Sequence, residues 1–287
     1  QSVAIGYECG QIDQNTQSVA IGYQCGQIGQ NTQSVALGSR AGQSSQGFST
    51  VAIGYQAGES TQGYQSVAIG SNAGTSYQAS RSVALGSNAG QSTQGTQSVA
   101  IGFEAGWRHQ KSQSVALGYW CGRVEQGSQS VAIGYQSGYW GQSAFSVALG
   151  FESGHSNQNR SSVAVGFRSG YESQSSSSVA IGYLSGYWMQ RAESVAVGTR
   201  AGASNQLGGV AIGYFAGQLN QNTGAVALGS RAGQSSQGRG TVAIGAKAGW
   251  INQGAESIAI GLRCAESYQG PRAIAIGYFA GRDYQHS

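Results

Sequence analysis

A five-residue string, Ser2-Val3-Ala4-Ile5-Gly6, returns seventeen more times with little change, and its Val or Ile anchors fall sixteen residues apart. The single shorter step, fifteen residues, separates Val195 from Val210. A short fixed period running from one end to the other is the mark of a solenoid, in which each repeat is one coil stacked on the last. Residues 1–287 are therefore read as one continuous repeat array of eighteen coils. Without that period, 9% charged residues, 48 glycines and a single proline would point to disorder. Disorder, however, gives no reason for a Val-Ala-Ile string to recur at a fixed interval.

Counting the Val as position zero, position one is Ala and position three is Gly in all eighteen repeats, and position two is always Ile, Leu or Val. Such period-two alternation, rich in β-branched residues and glycine, predicts a short strand and argues against a helix. Stacking at sixteen residues makes the strands parallel, so the fold class is all-β, a parallel β-solenoid or β-roll. Neither face of the strand is polar. Ser, Ala and Gly are expected to line a narrow coil, which leaves the Val and Ile rows outside it. Exposing them would be costly, at about 1.5 kcal/mol or more per buried aliphatic side chain. A self-association face is expected at Val3, Ile5, Val19, Ile21, Val99, Ile101, Val179, Ile181 and their equivalents. The competing arrangement puts Val and Ile inside and turns a flat Ala/Ser face outward.

Position eleven is Gln in every repeat, among them Gln14, Gln30, Gln46, Gln62, Gln142, Gln206 and Gln285. A column of identical amides predicts a hydrogen-bonded ladder running from coil to coil. A ligand-binding row of Gln is the weaker reading, since no neighbouring column recurs to complete a site. Position seven is Gly in every repeat but one, Ala265 being the exception, and it predicts a corner with positive φ. The missing residue between Val195 and Val210 is placed within Leu207 to Gly209, because losing a strand residue would invert the alternation.

Cys9, Cys25, Cys121 and Cys264 share the small-residue column at position six, where the other repeats hold Ala or Ser. They read as small buried side chains, with a bridge between the stacked Cys9 and Cys25 left open. The tripeptide Gly-Tyr-Trp gives three aromatic pairs, Tyr119 with Trp120, Tyr139 with Trp140 and Tyr187 with Trp188. These are candidates for a glycan, matrix or partner surface, although lateral packing between coils is the simpler reading.

Catalytic chemistry finds little support. His109, His155 and His286 are scattered, Asp13 and Asp283 lie at opposite ends, and the chain holds no paired metal-ligand or nucleophile motif. Neither cofactor nor metal is implied, since a calcium β-roll needs an Asp in every repeat. A net charge of +4 without a basic run argues against nucleic acid. Direct membrane insertion is not expected either, for no stretch approaches eighteen continuous apolar residues.

At the Ser-Val-Ala-Ile-Gly string, carried by Val3, Ala4, Ile5, Gly6 and their equivalents, the chain resembles the YadA-like head repeats of trimeric autotransporter adhesins, a motif also seen in viral and surface fibres. The period here is sixteen, against the family's commoner, slightly shorter one. The resemblance implies a left-handed parallel β-roll, a homotrimer with aliphatic rows near its axis, and an extracellular place at a cell or virion surface. Gln1 and Ser287 also leave the chain in the phase where a further copy would begin. Copies are therefore expected to stack end to end, each adding a rod of roughly 86 Å at about 4.8 Å per coil. The leading expectation is a non-enzymatic structural fibre or adhesin shaft. An ice-binding or ice-nucleating surface built on the row of Ser2, Ser18 and Ser34 is the alternative.

Overall fold

The computed structural model describes residues 1–285, so His286 and Ser287, used above in the catalytic survey and the end-to-end expectation, lie outside the described residues. The chain divides into two compact units, Gln1–Phe145 and Ser146–Ser287. Each is a parallel β-solenoid without helix among the described residues.

In the first unit the strands beginning at Val3, Val19, Val35, Val51, Val67, Val83, Val99, Val115 and Val131 pair in register, Val on Val and Ala on Ala. In the second, the same ladder runs from Val147 through Val163, Val179, Val195, Val210, Val226, Val242 and Ile258 to Ile274. In many coils a second segment, three residues long where it forms a strand, ends on the recurring Gln. Seven such strands, from Trp188–Gln190 to Asp283–Gln285, form a parallel sheet in the second unit. In the first unit the equivalent contacts are two strand pairs joined by isolated bridges such as Gln46 to Gln62 and Gln62 to Gln78.

The interior is made of small side chains and one long amide. Ala20, Ala36, Ala100 and Ala180 are fully buried, as are Ser18, Ser34 and Ser178, the column of Ala41, Ser137 and Cys121, and Gln30, Gln126 and Gln190. The competing arrangement is thereby decided: Ala and Ser face inward, while Val and Ile face outward and stay half-buried or exposed. A coil of sixteen residues leaves a lumen wide enough for a methyl, a hydroxymethyl or the slim Gln chain, and the branched aliphatics go to the open side. The buried hydroxyl just before the Val is satisfied locally, as where Ser178 Oγ donates to the Ser175 carbonyl at 2.5 Å and Ser162 Oγ to Asn159 at 2.5 Å, whereas Ser169 Oγ and Ser185 Oγ in the position-six column have no partner.

Two features differ from the simple strand expectation. In most coils the strand stops at position two, before a Gly at positive φ; Gly166, for instance, has φ of 125°. A Cβ on Gly166 would lie 2.4 Å from the carbonyl oxygen of Gly182 in the next coil, so this Gly serves coil-to-coil approach and not the inner wall. Three further columns, at positions five, ten and fourteen, hold non-glycine residues at positive φ, such as Arg168, Ser173 and Ser177 at 49°, 57° and 56°. At position seven Ala265 accepts φ of 46° in the place where its neighbours are Gly.

The fifteen-residue coil keeps its register. Val195 pairs with Val210, the Val195 amide donates to the Gly209 carbonyl at 2.9 Å, and Gln206 remains in its column. The shortened loop spans Leu207 to Gly209, where the Gly208 amide donates to Ser194 Oγ at 3.0 Å.

Candidate functional site

On the outer face, positions zero and two of every coil present two parallel aliphatic columns. Val3 is 44% and Ile5 58% exposed. Val19, Ile21, Val99, Ile101 and Val179 are half-buried, and Ile181 is exposed. The strand geometry explains this: Ala180 between Val179 and Ile181 points into the coil at zero exposure, so its neighbours must point out. Each unit thus carries an apolar strip on the side of the sheet opposite its closed interior.

Beside the strip, at position four, runs a column of stacked rings. Phe103, Tyr119 and Tyr135 stack at centroid distances of 5.2 and 5.4 Å in the first unit. Phe151, Phe167 and Tyr183 stack at 5.1 Å in the second. A further column at position eight places His155, Tyr171 and Tyr187 at 4.8 and 5.2 Å. Rings one coil apart occupy each other's faces, so a sugar approaching from the side meets ring edges. The repeated Gly-Tyr-Trp tripeptides do not share a phase. Tyr119 and Trp120 sit at positions four and five, with Trp120 packed on Tyr119 and Tyr139. The pairs Tyr139 with Trp140 and Tyr187 with Trp188 sit at eight and nine. Of these six aromatics, Trp140 and Trp188 project most plainly without a stacking role in a column, at 51% and 41% exposure. Tyr187 lines a shallow groove of about 300 Å³ with Arg168, Leu184 and Arg200.

The Gln column is buried, and its geometry holds more than the sequence suggested. Each inner Nε2 donates across the coil to the carbonyl of the Val or Ile eleven residues earlier, as Gln30 to Val19 at 2.8 Å, Gln62 to Val51 at 2.8 Å and Gln142 to Val131 at 2.8 Å, and many also reach the next amide. Gln46 reaches both Val35 and Gln62 Oε1. Gln14 bonds Val3 and Gln30. In the second unit the amide-to-amide chain is unbroken from Gln158 through Gln206 to Gln285, at 3.0 to 3.3 Å. In the first unit it is interrupted, and Oε1 of Gln46, Gln78, Gln94 and Gln110 lacks a partner. The invariant residue identity signalled the ladder; the cross-brace to a backbone carbonyl depends on coil width, which the sequence did not give.

Charged side chains tie neighbouring coils through positions five and eight. Arg168 Nε meets Glu152 at 2.6 Å and Arg123 Nε meets Glu104 at 2.7 Å. Glu266, almost buried, gathers Arg282 at 3.2 Å with Lys247 and Arg263 near 4 Å. Among the described residues no group of three or more His, Cys, Asp and Glu is placed to hold a metal ion. The buried thiols are held protonated: burial pushes Cys121 up to about 11 and also raises Cys264.

The proton affinity of His155 is lowered chiefly by burial and further by the Arg168 charge, against Glu152 and Glu172, which act the other way. Its folded state binds the proton less well than the unfolded chain. Its contribution is therefore complete above the unfolded value of about 6.5 and is lost as pH falls through the lower folded one. The unfolding midpoint is expected to drop on going from about pH 7 to about pH 5. His155→Phe, which keeps a ring on Tyr171, should remove that part of the drop; identical pH profiles for the two chains would refute it.

The geometry defines a class before it suggests a role: a coil closed on small residues and Gln, open on an aliphatic strip. Two stretches, residues 62–89 and 192–216, match the YadA head domain repeat, so these coils are similar to YadA head repeats, in keeping with the parallel β-solenoid. The match suggests an adhesin-like surface protein. A search of curated proteins gave no match. The Ser row considered for an ice-binding face is enclosed beyond its first member: Ser2 is exposed, but Ser18, Ser34 and Ser178 have zero exposure, so that hydroxyl row does not form a surface.

Proposed function

We propose that this chain is the shaft of a non-enzymatic surface fibre or adhesin, one continuous array that associates as a homotrimer through its outward Val and Ile columns. The observation that carries this is the position of those columns. They line one side of every coil, half-buried or exposed, while from the second coil onward the opposite side of the same strand is closed. Water contact along two aliphatic rows is unfavourable by roughly 25 cal/mol per Å² of apolar surface, and a neighbouring copy presents the same rows in the same register. The YadA head repeat match supports a surface adhesin built this way.

Sedimentation equilibrium should give about three times the 29.4 kDa chain mass. Ile101→Lys combined with Ile181→Lys should give the single-chain mass with an unchanged far-ultraviolet spectrum, since both side chains project away from the coil interior. A wild-type chain that stays at 29.4 kDa at every concentration overturns the reading. End-to-end growth into filaments belongs to the same proposal and is tested by electron microscopy, where dispersed short rods at high concentration would count against it. Attachment to a glycan or matrix surface falls to Trp140 and Trp188, which are exposed and, unlike the likewise exposed Tyr119, stand outside the stacked ring columns.

A further inference from the structure

Cys9 and Cys25 are successive members of the inward column at position six, and their Sγ atoms lie 2.6 Å apart. That is about half an ångström beyond a disulfide bond of ~2.05 Å. The backbones on either side are already tied in register, Gly10 N to Cys25 O at 3.2 Å and Gln24 N to Tyr7 O at 2.8 Å. Coils so paired are about 4.8 Å apart, within the ~4.4–6.8 Å Cα separation that a disulfide spans. The other two thiols have no such neighbour: Cys121 stacks between Ala105 and Ser137, and Cys264 between Ala248 and Ala280.

We propose that Cys9 and Cys25 are an oxidation site, a dithiol that a small-molecule disulfide converts into a covalent tie between the first two coils. Cys9 is partly accessible while Cys25 is buried, which sets the order of events. The Cys9 thiolate attacks one sulfur of the reagent RS–SR, forming a mixed disulfide and expelling RS⁻. Cys25 gives up its proton, its sulfur attacks Cys9 Sγ, and the second RS⁻ leaves. Two protein thiols are oxidised, one reagent disulfide is reduced to two RSH, and the two thiol protons end on the leaving thiolates. Burial pushes the Cys25 thiol up to about 12, so it resolves the mixed disulfide and does not start the reaction.

The test uses the full folded chain in buffer containing oxidised glutathione, followed by denaturation, alkylation and peptide mass mapping. Alkylatable thiols should fall from four to two, with the peptide of Cys9 joined to that of Cys25 and with Cys121 and Cys264 still free. Amide exchange in the Val3–Ser18 coil should slow by roughly a hundredfold, since closing a loop of this length removes much of the open state's freedom. Cys25→Ala, which places in this coil the residue that Ala41 provides in the next, should fold normally and lose both effects. Four remaining thiols, a glutathione adduct that persists on Cys9, or a link between two chains would each overturn the site. A bridge that leaves amide exchange unchanged would overturn its role as a tie.

Discussion

Gln190→Met lowers the stability of its coil by about 3–5 kcal/mol, far more than a near-isosteric change at an exposed site. Gln190 Nε2 donates to the Val179 carbonyl at 2.8 Å and to Gln206 Oε1 at 3.1 Å, and its own Oε1 accepts from Gln174 Nε2 at 3.1 Å. The side chain is fully buried, so no water replaces these partners. Methionine nearly fills the volume but leaves a carbonyl, an amide oxygen and an amide N–H facing it, each at about 1–3 kcal/mol. Gln190→Glu should be worse at neutral pH, because a carboxylate would confront the Val179 carbonyl and Gln206 Oε1, both acceptors, and it should recover in part on acidification. Solenoid stability is a sum of neighbour terms, so the loss should concentrate at the Val179 and Val195 amides in hydrogen exchange. A Gln190→Met chain within about 1 kcal/mol of the parent would show that the brace contributes little.

Gly166→Ala should cost at least about 4 kcal/mol or prevent local pairing altogether. The new methyl would sit 2.4 Å from the Gly182 carbonyl oxygen, a backbone atom that has no rotamer to change. Nor can Gly182 withdraw along the stack, since its own Cβ position lies 2.7 Å from the Gly198 oxygen. Gly240→Ala is the matched comparison: φ is 63°, yet no atom lies within 4 Å of its Cβ position. Only the left-handed backbone penalises it, by about 1–2 kcal/mol. The two melting temperatures should therefore differ widely; equal shifts would mean that coil-to-coil approach is not what requires Gly in this column.

Much of the candidate site was legible from spacing alone. Val179 and Ile181 could be placed on one face by alternation, and Gln190 in a stacked column by recurrence. The direction of that face was not legible, because a strand of Val, Ala and Ile between Ser and Gly is apolar on both sides and alternation gives no preference. The three Gly-Tyr-Trp tripeptides look alike as strings, yet Trp120 and Trp140 fall in different columns and differ in exposure accordingly. Counting from the nearest Val would have separated them. The closeness of Cys9 to Cys25 was visible as a period, but the inward turn of both thiols toward each other depended on the corner backbone.

By itself the sequence determined the period, the parallel register and the short strands, since a residue repeated every sixteen positions can satisfy its hydrogen bonds identically in each coil only by lying over its own equivalent. Which side of the strand became the interior was decided by the closed coil, whose lumen admits Ala180, Ser178 and Gln190 while excluding the bulk of Val179 and Ile181. The aliphatic strip is thus a consequence of width: what does not fit inside a sixteen-residue turn must face outward.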